Sequence, residues 1–311
     1  MGKPPHGNRT SLPAEVAGDE ALVAEAAELV RLAVAEDLGP GDATTAACMP
    51  PDRTVSATIV TRSDGVAAGL WVVARVYDAL PGGVAVALDA ADGELIRSGR
   101  KLATVTGLAA PILTGERIAL NFVQHLSGVA TLTRAFVDAV AGTRAVICDT
   151  RKTTPGWRRL EKYAVRCGGG TNHRMGLYDA LLLKDNHLAL AGKDLAAVVS
   201  DARRRTGTAM TIEVEVETLE QLEAALALPV NMVLLDNMPL GDLREAVALR
   251  DRLTRRNGPL LEASGGVTLE TVRAIAETGI DRISVGALTH SAPALDVGMD
   301  VPACHDAEAG P

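Results

Sequence analysis

Aromatic residues are scarce, with only two Phe, two Trp and three Tyr in 311 residues. Single-stranded nucleic acid is gripped by stacking its bases on aromatic rings, and so few rings over so long a chain supply no such platform. Positive charge is not in excess either. The net charge of -8 and isoelectric point near 5.3 have the wrong sign for a phosphate backbone, so no nucleic-acid partner is expected. Cysteine is limited to Cys48, Cys148, Cys167 and Cys304, far apart and without a CxxC pair. That spacing argues against a zinc ribbon or a disulfide framework and for small buried thiols in a reducing compartment. No uninterrupted apolar run is long enough to span a bilayer, and Met1 to Glu20 is rich in Pro, Gly and polar residues where a leader would be apolar. A cytoplasmic protein with no membrane partner is expected, opening on a disordered lead-in over residues 1–20.

What remains is an ordinary soluble balance: 47% hydrophobic, 23% charged, mean hydropathy +0.15. At this length the chain forms one large or two modest domains, with a core built from Leu, Val, Ile and Ala. Ala21 to Glu36 carries apolar positions at helical spacing and is stopped by Asp37-Leu-Gly-Pro-Gly-Asp42. From Val55 to Gly107 short β-like runs (Ser56 to Thr61, Val84 to Leu88, Leu102 to Val105) surround one helix, Gly69 to Leu80, which reads as a small α+β domain. A long helix is expected from near Glu116 to Ala141. Thereafter a unit of apolar strand, charged strand end and helix repeats. Its strands are Ala145 to Asp149, Ala180 to Lys184, Met210 to Glu215, Met232 to Asp236, Leu260 to Ser264 and Arg282 to Gly286. Parallel strands alternating with helices build an α/β barrel or an open sheet, and polar residues at nearly every strand end favour the barrel.

Charge is unevenly spread. Between Arg144 and His187 stand nine Arg or Lys against four acids, inside a chain of net charge -8. A basic pocket for a small, multiply anionic ligand is expected there, while Arg158, Arg159 and Lys162, at helical spacing, read as a solvated helix face. Lysine is rare, six residues against twenty-five Arg, yet Lys152 and Lys184 both fall at strand ends. There a compact ammonium suits phosphate or carboxylate. Gly168-Gly-Gly-Thr-Asn-His-Arg174 offers close backbone approach followed by a donor pair. Glu213, Glu215 and Glu217 alternate along one strand and share a face, and Asp236 ends the next. Carboxylates so placed suit ribose hydroxyls or a hydrated Mg²⁺. Ser264-Gly-Gly266 and Val285-Gly-Ala287 sit where barrels bind phosphate through backbone N–H groups.

Asp149-Thr-Arg-Lys-Thr-Thr-Pro-Gly156, Gly168 to Arg174, Leu183-Lys-Asp-Asn-His187, Glu213-Val-Glu215, Leu235-Asp-Asn237, Glu262-Ala-Ser-Gly-Gly266 and Val285-Gly-Ala-Leu-Thr-His290 together resemble the quinolinate phosphoribosyltransferases. Glu36 to Thr44 and Gly115 to Asn121 are similar to that family's N-terminal motifs, and the resemblance covers roughly Glu20 to Asp300. The long polar lead-in and Ile118, where Thr is common, are departures that touch no catalytic role.

The resemblance implies an open seven-stranded α/β barrel with an N-terminal α+β sandwich domain. The domains would fall at residues 21–128 and 129–289, with 290–311 returning toward the first. It implies a homodimer, able to assemble further, with sites shared between subunits. Arg117 of one subunit would join Arg151, Lys152, His173, Arg174 and Lys184 around the carboxylates of quinolinate. Glu215 and Asp236 would hold ribose hydroxyls and Mg²⁺, with Ser264, Gly265, Gly266, Gly286 and Ala287 on the 5-phosphate of phosphoribosyl pyrophosphate (PRPP). Lys152, Lys184, Glu215 and Asp236 would be the catalytic set. Two other readings of the same residues are a Schiff-base aldolase using Lys152 or Lys184 and a non-catalytic phosphometabolite-binding protein.

Overall fold

A computed structural model of the chain describes residues 12–254 and 258–301. The expected disorder of residues 1–11 and the thiol of Cys304 lie outside those residues, whereas Ala14–Ala17 forms a helical turn, α1. The chain continues through α2 (Glu20–Leu38), α3 (Ala43–Cys48), β1 (Thr54–Thr61), β2 (Gly65–Val66), α4 (Leu70–Asp78), β3 (Ala85–Leu88), β4 (Leu95–Ile96), β5 (Lys101–Leu108) and α5 (Ala109–Ala139). There follow β6 (Val146–Cys148), α6 (Arg158–Cys167), β7 (Ala180–Leu183), α7 (Asp185–Ala191), α8 (Leu195–Thr206), β8 (Thr211–Val216), α9 (Leu219–Leu226), β9 (Met232–Asp236) and α10 (Leu240–Thr254). The last elements are β10 (Leu260–Ser264), α11 (Leu269–Ala276), β11 (Arg282–Ser284), α12 (Ala287–His290) and β12 (Val297–Asp300). No helix among the described residues is long and apolar enough to cross a membrane.

Contacts divide the chain into two units that interleave along the sequence. The first takes the residues up to Leu132, Thr154–Gly168 and the segment from Ala292. Its antiparallel sheet runs β12-β1-β5-β3, so the C-terminal strand pairs with the first, beside a small β2-β4 ladder. Along β1 the side chains alternate, with Ala57, Ile59 and Thr61 buried, as a sheet with one covered face requires. Four of the seven aromatics, Trp71, Tyr77, Phe122 and Tyr163, are buried in this unit. α5 starts seven residues before the expected Glu116, because Pro111 falls in its first turn, where the missing N–H forfeits no helical bond. Gly115 lets α5 approach α4: a Cβ there would meet the Tyr77 ring at 2.6 Å and Leu80 at 2.9 Å.

The second unit comprises Thr133–Thr153 and Gly169–Ser291. Its six strands are all parallel in the order β6-β11-β10-β9-β8-β7, and Thr171 adds a single bridge beside Cys148 at the β6 edge. The seventh strand implied by the family resemblance, which the sequence had not placed, does not form among the described residues of this sheet. The register separates two faces. Ile212, Val214, Val216, Val233, Leu235, Leu261, Ala263 and Ile283 are buried on one side. On the other, at alternate positions, stand Glu213, Glu215, Asp236, Glu262, Ser264, Arg282 and Ser284. Strands buried on both sides read as apolar runs; here a period of two gives one face to packing and the other to chemistry.

Candidate active site

The polar face opens into a cavity of about 560 Å³ in the second unit. Its walls include Arg151, Lys152, His173, Arg174, Lys184, Glu215, Asp236, Ser264, Gly265 and Gly266. Ten of the expected site residues thus converge, together with Thr150, Asn237, Glu262 and Ser284, for which no role had been read. Leu182 and Leu234 supply the apolar contact, and among the described residues no Phe, Trp or Tyr lines the cavity.

Each charged group is placed by a strand end. Lys184 follows β7 and its Nζ lies 2.5 Å from Glu215 Oε2 on β8, the pair Leu183↔Val214 setting the two strands in register. The ammonium is therefore held as one half of an ion pair. Asp236 ends β9 opposite Ser264 at the end of β10. Arg151 and Lys152 follow β6 on a short loop pinned by Thr150 Oγ1, which accepts from the Lys152 N–H at 3.0 Å, and by Thr289 Oγ1, which donates to the Lys152 carbonyl at 2.7 Å. Burial, and after it the charge of Arg151, push the Arg174 guanidinium below its ordinary pKa. Two cations forced so close are stabilised by an anion between them.

Beneath these groups lies a buried carboxylate layer. Asp149 accepts from the His173 N–H at 2.9 Å and from Asn172 Nδ2 at 2.6 Å, which fixes the loop that presents Arg174. His173 Nδ1 accepts from the Arg174 N–H at 2.7 Å, so in the neutral ring the proton sits on Nε2, facing Glu213 Oε2 at 2.9 Å. Burial opposes charge on this ring, but the bond to Glu213 and the charges of Glu262 and Glu213 outweigh it and raise its pKa. The Glu262 carboxyl is raised too, first by burial and then by Glu213, while Arg282 Nε donates to it at 2.7 Å. Glu262 was assigned no site role from sequence, and Glu213 was read only as one of a row of carboxylates, not as the buried partner of His173. The alternation in Leu-Leu-Glu-Ala-Ser264, with Glu262 two before Ser264, is the signal that could have found Glu262.

Other expectations need correction. Of the nine cations from Arg144 to His187 only Arg151, Lys152, Arg174 and Lys184 line the cavity. Arg144 pairs with Asp281, and Arg158, Arg159, Lys162 and Arg166 lie on α6 in the first unit. Lys162 is fully buried, so it does not belong to a solvated face. Glu217 falls past the end of β8 and is exposed, away from the row begun by Glu213. Gly286 and Ala287 are not among the lining residues. A Cβ on Gly286 would nonetheless lie 3.1 Å from Lys152 Cδ, so this glycine keeps the loop and the turn close. Arg117 is on α5 of the first unit with its side chain exposed. Cys148 is buried, but Cys48 is exposed and Cys167 only partly covered.

The family model of the quinolinate phosphoribosyl transferase N-terminal domain matches residues 42–127, and that of its C-terminal domain matches residues 129–300. The chain belongs to the quinolinate phosphoribosyltransferase family. It is 47% identical over 279 residues to the nicotinate-nucleotide pyrophosphorylase [carboxylating] of Mycobacterium leprae, covering 89% of this chain and 97% of that one. Identity to the probable enzyme of the same name from Bacillus subtilis is 44% over 266 residues, covering 86% and 90%. Among solved structures, the nicotinate-nucleotide pyrophosphorylase of Francisella tularensis superposes with a TM-score of 0.83 at 34% identity, over 94% of this chain and 99% of that one. The quinolinate phosphoribosyltransferase fold is thus shared along nearly the whole length, with the cavity at the C-terminal ends of the parallel strands, where α/β barrels place their sites.

Proposed function

We propose that the chain transfers the phosphoribosyl group of PRPP to the ring nitrogen of quinolinate and releases the 2-carboxylate as CO₂, forming nicotinate mononucleotide and pyrophosphate. The observation that carries this reading is the meeting of Arg151, Lys152, Arg174 and Lys184 with Glu215 and Asp236 in one cavity. A dianionic acid beside a pyrophosphorylated sugar needs that mixture of charge. Arg151 and Arg174 bind the carboxylates and hold the ring nitrogen toward C1 of the sugar. Glu215 and Asp236 accept from the ribose hydroxyls, and their charge favours the oxocarbenium-like ribosyl as the C1–O bond breaks. Lys184 and Lys152 stabilise negative charge on the substrates, with Lys184 Nζ positioned by Glu215 Oε2. Gly265 and Gly266, at φ of 102° and 58°, turn successive N–H groups into a concave anion cradle suited to the 5-phosphate. In the second step CO₂ leaves its bonding pair on C2, where the positive charge of the adjacent pyridinium nitrogen stabilises it, and C2 then takes a proton from solvent. No protein nucleophile is needed.

The donor set fits Mg²⁺: hard carboxylate oxygens on neighbouring strand ends, with one Asp236 oxygen engaged by Asn237 among the described residues, suit an ion that takes few protein ligands and completes its shell with phosphate and water. Glu215 and Asp236 would hold it. When bound, it neutralises charge on the departing pyrophosphate. A homodimer in which Arg117 of a second copy completes the quinolinate subsite, and a cytoplasmic location, belong to the same proposal. The aldolase and the non-catalytic binding protein find no support among the relatives. To test the proposal, purified chain is given PRPP and Mg²⁺ with either quinolinate or nicotinate. Nicotinate mononucleotide formed from quinolinate alone is expected; product from nicotinate, or from neither, refutes it.

A further inference from the structure

Among the described residues Asn237 is the sole non-glycine with positive φ, at 54°. It follows β9 directly and stands exposed at the rim of the cavity. Glycine adopts this conformation freely, asparagine at some cost, and residues held in such regions cluster where structure around them enforces the geometry. The backbone alone would be served by glycine, so the side chain has a separate use.

Two hydrogen bonds show what that use is. The Asn237 N–H donates to the Ser264 carbonyl at 2.9 Å, joining the end of β9 to the end of β10. Asn237 Nδ2 donates to Asp236 Oδ2, also at 2.9 Å. On its other side the amide is packed against Gly265, where a Cβ would fall 2.1 Å from Asn237 Oδ1 and 2.6 Å from Cγ. Gly265 has no side chain in the place that the amide occupies. The amide is thereby wedged between the carboxylate of one strand end and the backbone of the next. Aspartate tolerates the same backbone but has no N–H to donate and would set a second negative charge beside Asp236. Asparagine meets both demands.

We propose that Asn237 is a positioning residue for Asp236: its amide holds one carboxylate oxygen, turns the other toward the sugar hydroxyls of PRPP, and locks the ribose subsite to the phosphate subsite at Ser264 and Gly265. This rests on the proposed function. It concerns the affinity for the phosphoribosyl donor and leaves the quinolinate subsite, built on Arg151 and Arg174, untouched.

The test is Asn237→Gly, which removes the amide and relaxes the backbone. The expected result is a KM for PRPP raised about tenfold, the loss of one charge-assisted hydrogen bond, with KM for quinolinate unchanged within about twofold. Calorimetric titration of PRPP with Mg²⁺ should show the same loss in Kd, and the melting temperature should stay level or rise. In an Asp236→Ala background the same change should cost no further PRPP affinity, because its target is gone. Unaltered PRPP affinity in Asn237→Gly, an equal loss for quinolinate, or additive losses in the double variant would overturn the assignment. Wild-type chain that binds PRPP but releases no pyrophosphate counts against the proposed function alone, since the calorimetric cycle still decides the role of Asn237.

Discussion

His173 Nε2 lies 2.9 Å from Glu213 Oε2 with both side chains almost wholly buried, and the opposite ring nitrogen takes the Arg174 N–H. Both nitrogens are engaged inside the protein, so the ring transmits the position of a buried carboxylate to the backbone of a cavity arginine. Glu213→Ala removes the nearer acceptor of a buried donor, leaving Glu262 Oε1 at 3.4 Å, and is expected to lower stability by about 1–3 kcal/mol and to raise KM for quinolinate. Glu213→Gln, whose carbonyl still accepts, should lose much less. Urea unfolding and quinolinate kinetics of the two variants check this; both variants matching the wild type would contradict it.

Arg174→Ala removes one of the two guanidinium groups assigned to the quinolinate carboxylates. A paired arginine in a partly dry site is worth at least about 2 kcal/mol, so KM for quinolinate should rise about thirtyfold or more while KM for PRPP changes little. Steady-state kinetics with each substrate varied in turn distinguish the two.

Gly265→Ala should fail for two reasons at once. Its φ is 102°, a region that alanine adopts only under strain, and its Cβ would run into Asn237 Oδ1. A destabilisation of about 1–3 kcal/mol with weakened PRPP binding is expected, read by thermal melting and calorimetry.

Burial, reinforced by the charge of Asp92, pushes the Cys167 thiol up to about 12, and burial with the Glu262 charge pushes Cys148 higher still. A raised thiol pKa means less thiolate at a given pH, so both should resist alkylation at pH 8. Cys48 is exposed and should react first of the three, as peptide mapping after timed labelling would show.

Lys184 Nζ is engaged by Glu215 Oε2, and the proposed transfer uses no lysine nucleophile. Borohydride treatment in the presence of sugar phosphates or keto acids should trap no adduct on Lys152 or Lys184. A trapped lysine detected by mass spectrometry would revive the aldolase reading.

Much of this architecture was legible in the sequence because local physics determined it. Met232 to Asp236 is an apolar run closed by Asp236, Leu260 to Ser264 a short segment closed by Ser264 and a Gly-Gly turn, and both form strands with those same ends. The strand-end residues Lys184, Glu215, Asp236 and Ser264 meet because parallel strands in register bring their C-terminal ends together. What was hidden depends on contacts distant in sequence. Charge density along Arg144 to His187 treated neighbours in sequence as neighbours in space, whereas α6 takes its four cations into the other unit. Lys162 reads as exposed by helical spacing and is buried by tertiary packing. The two-residue strands β2 and β4 carry no periodicity to read, and β12 exists only because β1 offers it an edge. The meeting of Glu213 and Glu262 around His173 was hidden for the same reason, since it depends on the parallel register that brings β8, β9 and β10 together.

In the proposed reaction one cavity joins a dicarboxylate to a pyrophosphorylated sugar and then discards a carboxylate. Its most direct test is the ratio of labelled CO₂, from quinolinate carrying the label in its 2-carboxylate, to pyrophosphate in a single reaction with PRPP and Mg²⁺. Equal amounts of both are expected, and neither product when either substrate is omitted. Pyrophosphate released without CO₂, or CO₂ released without PRPP, would contradict it.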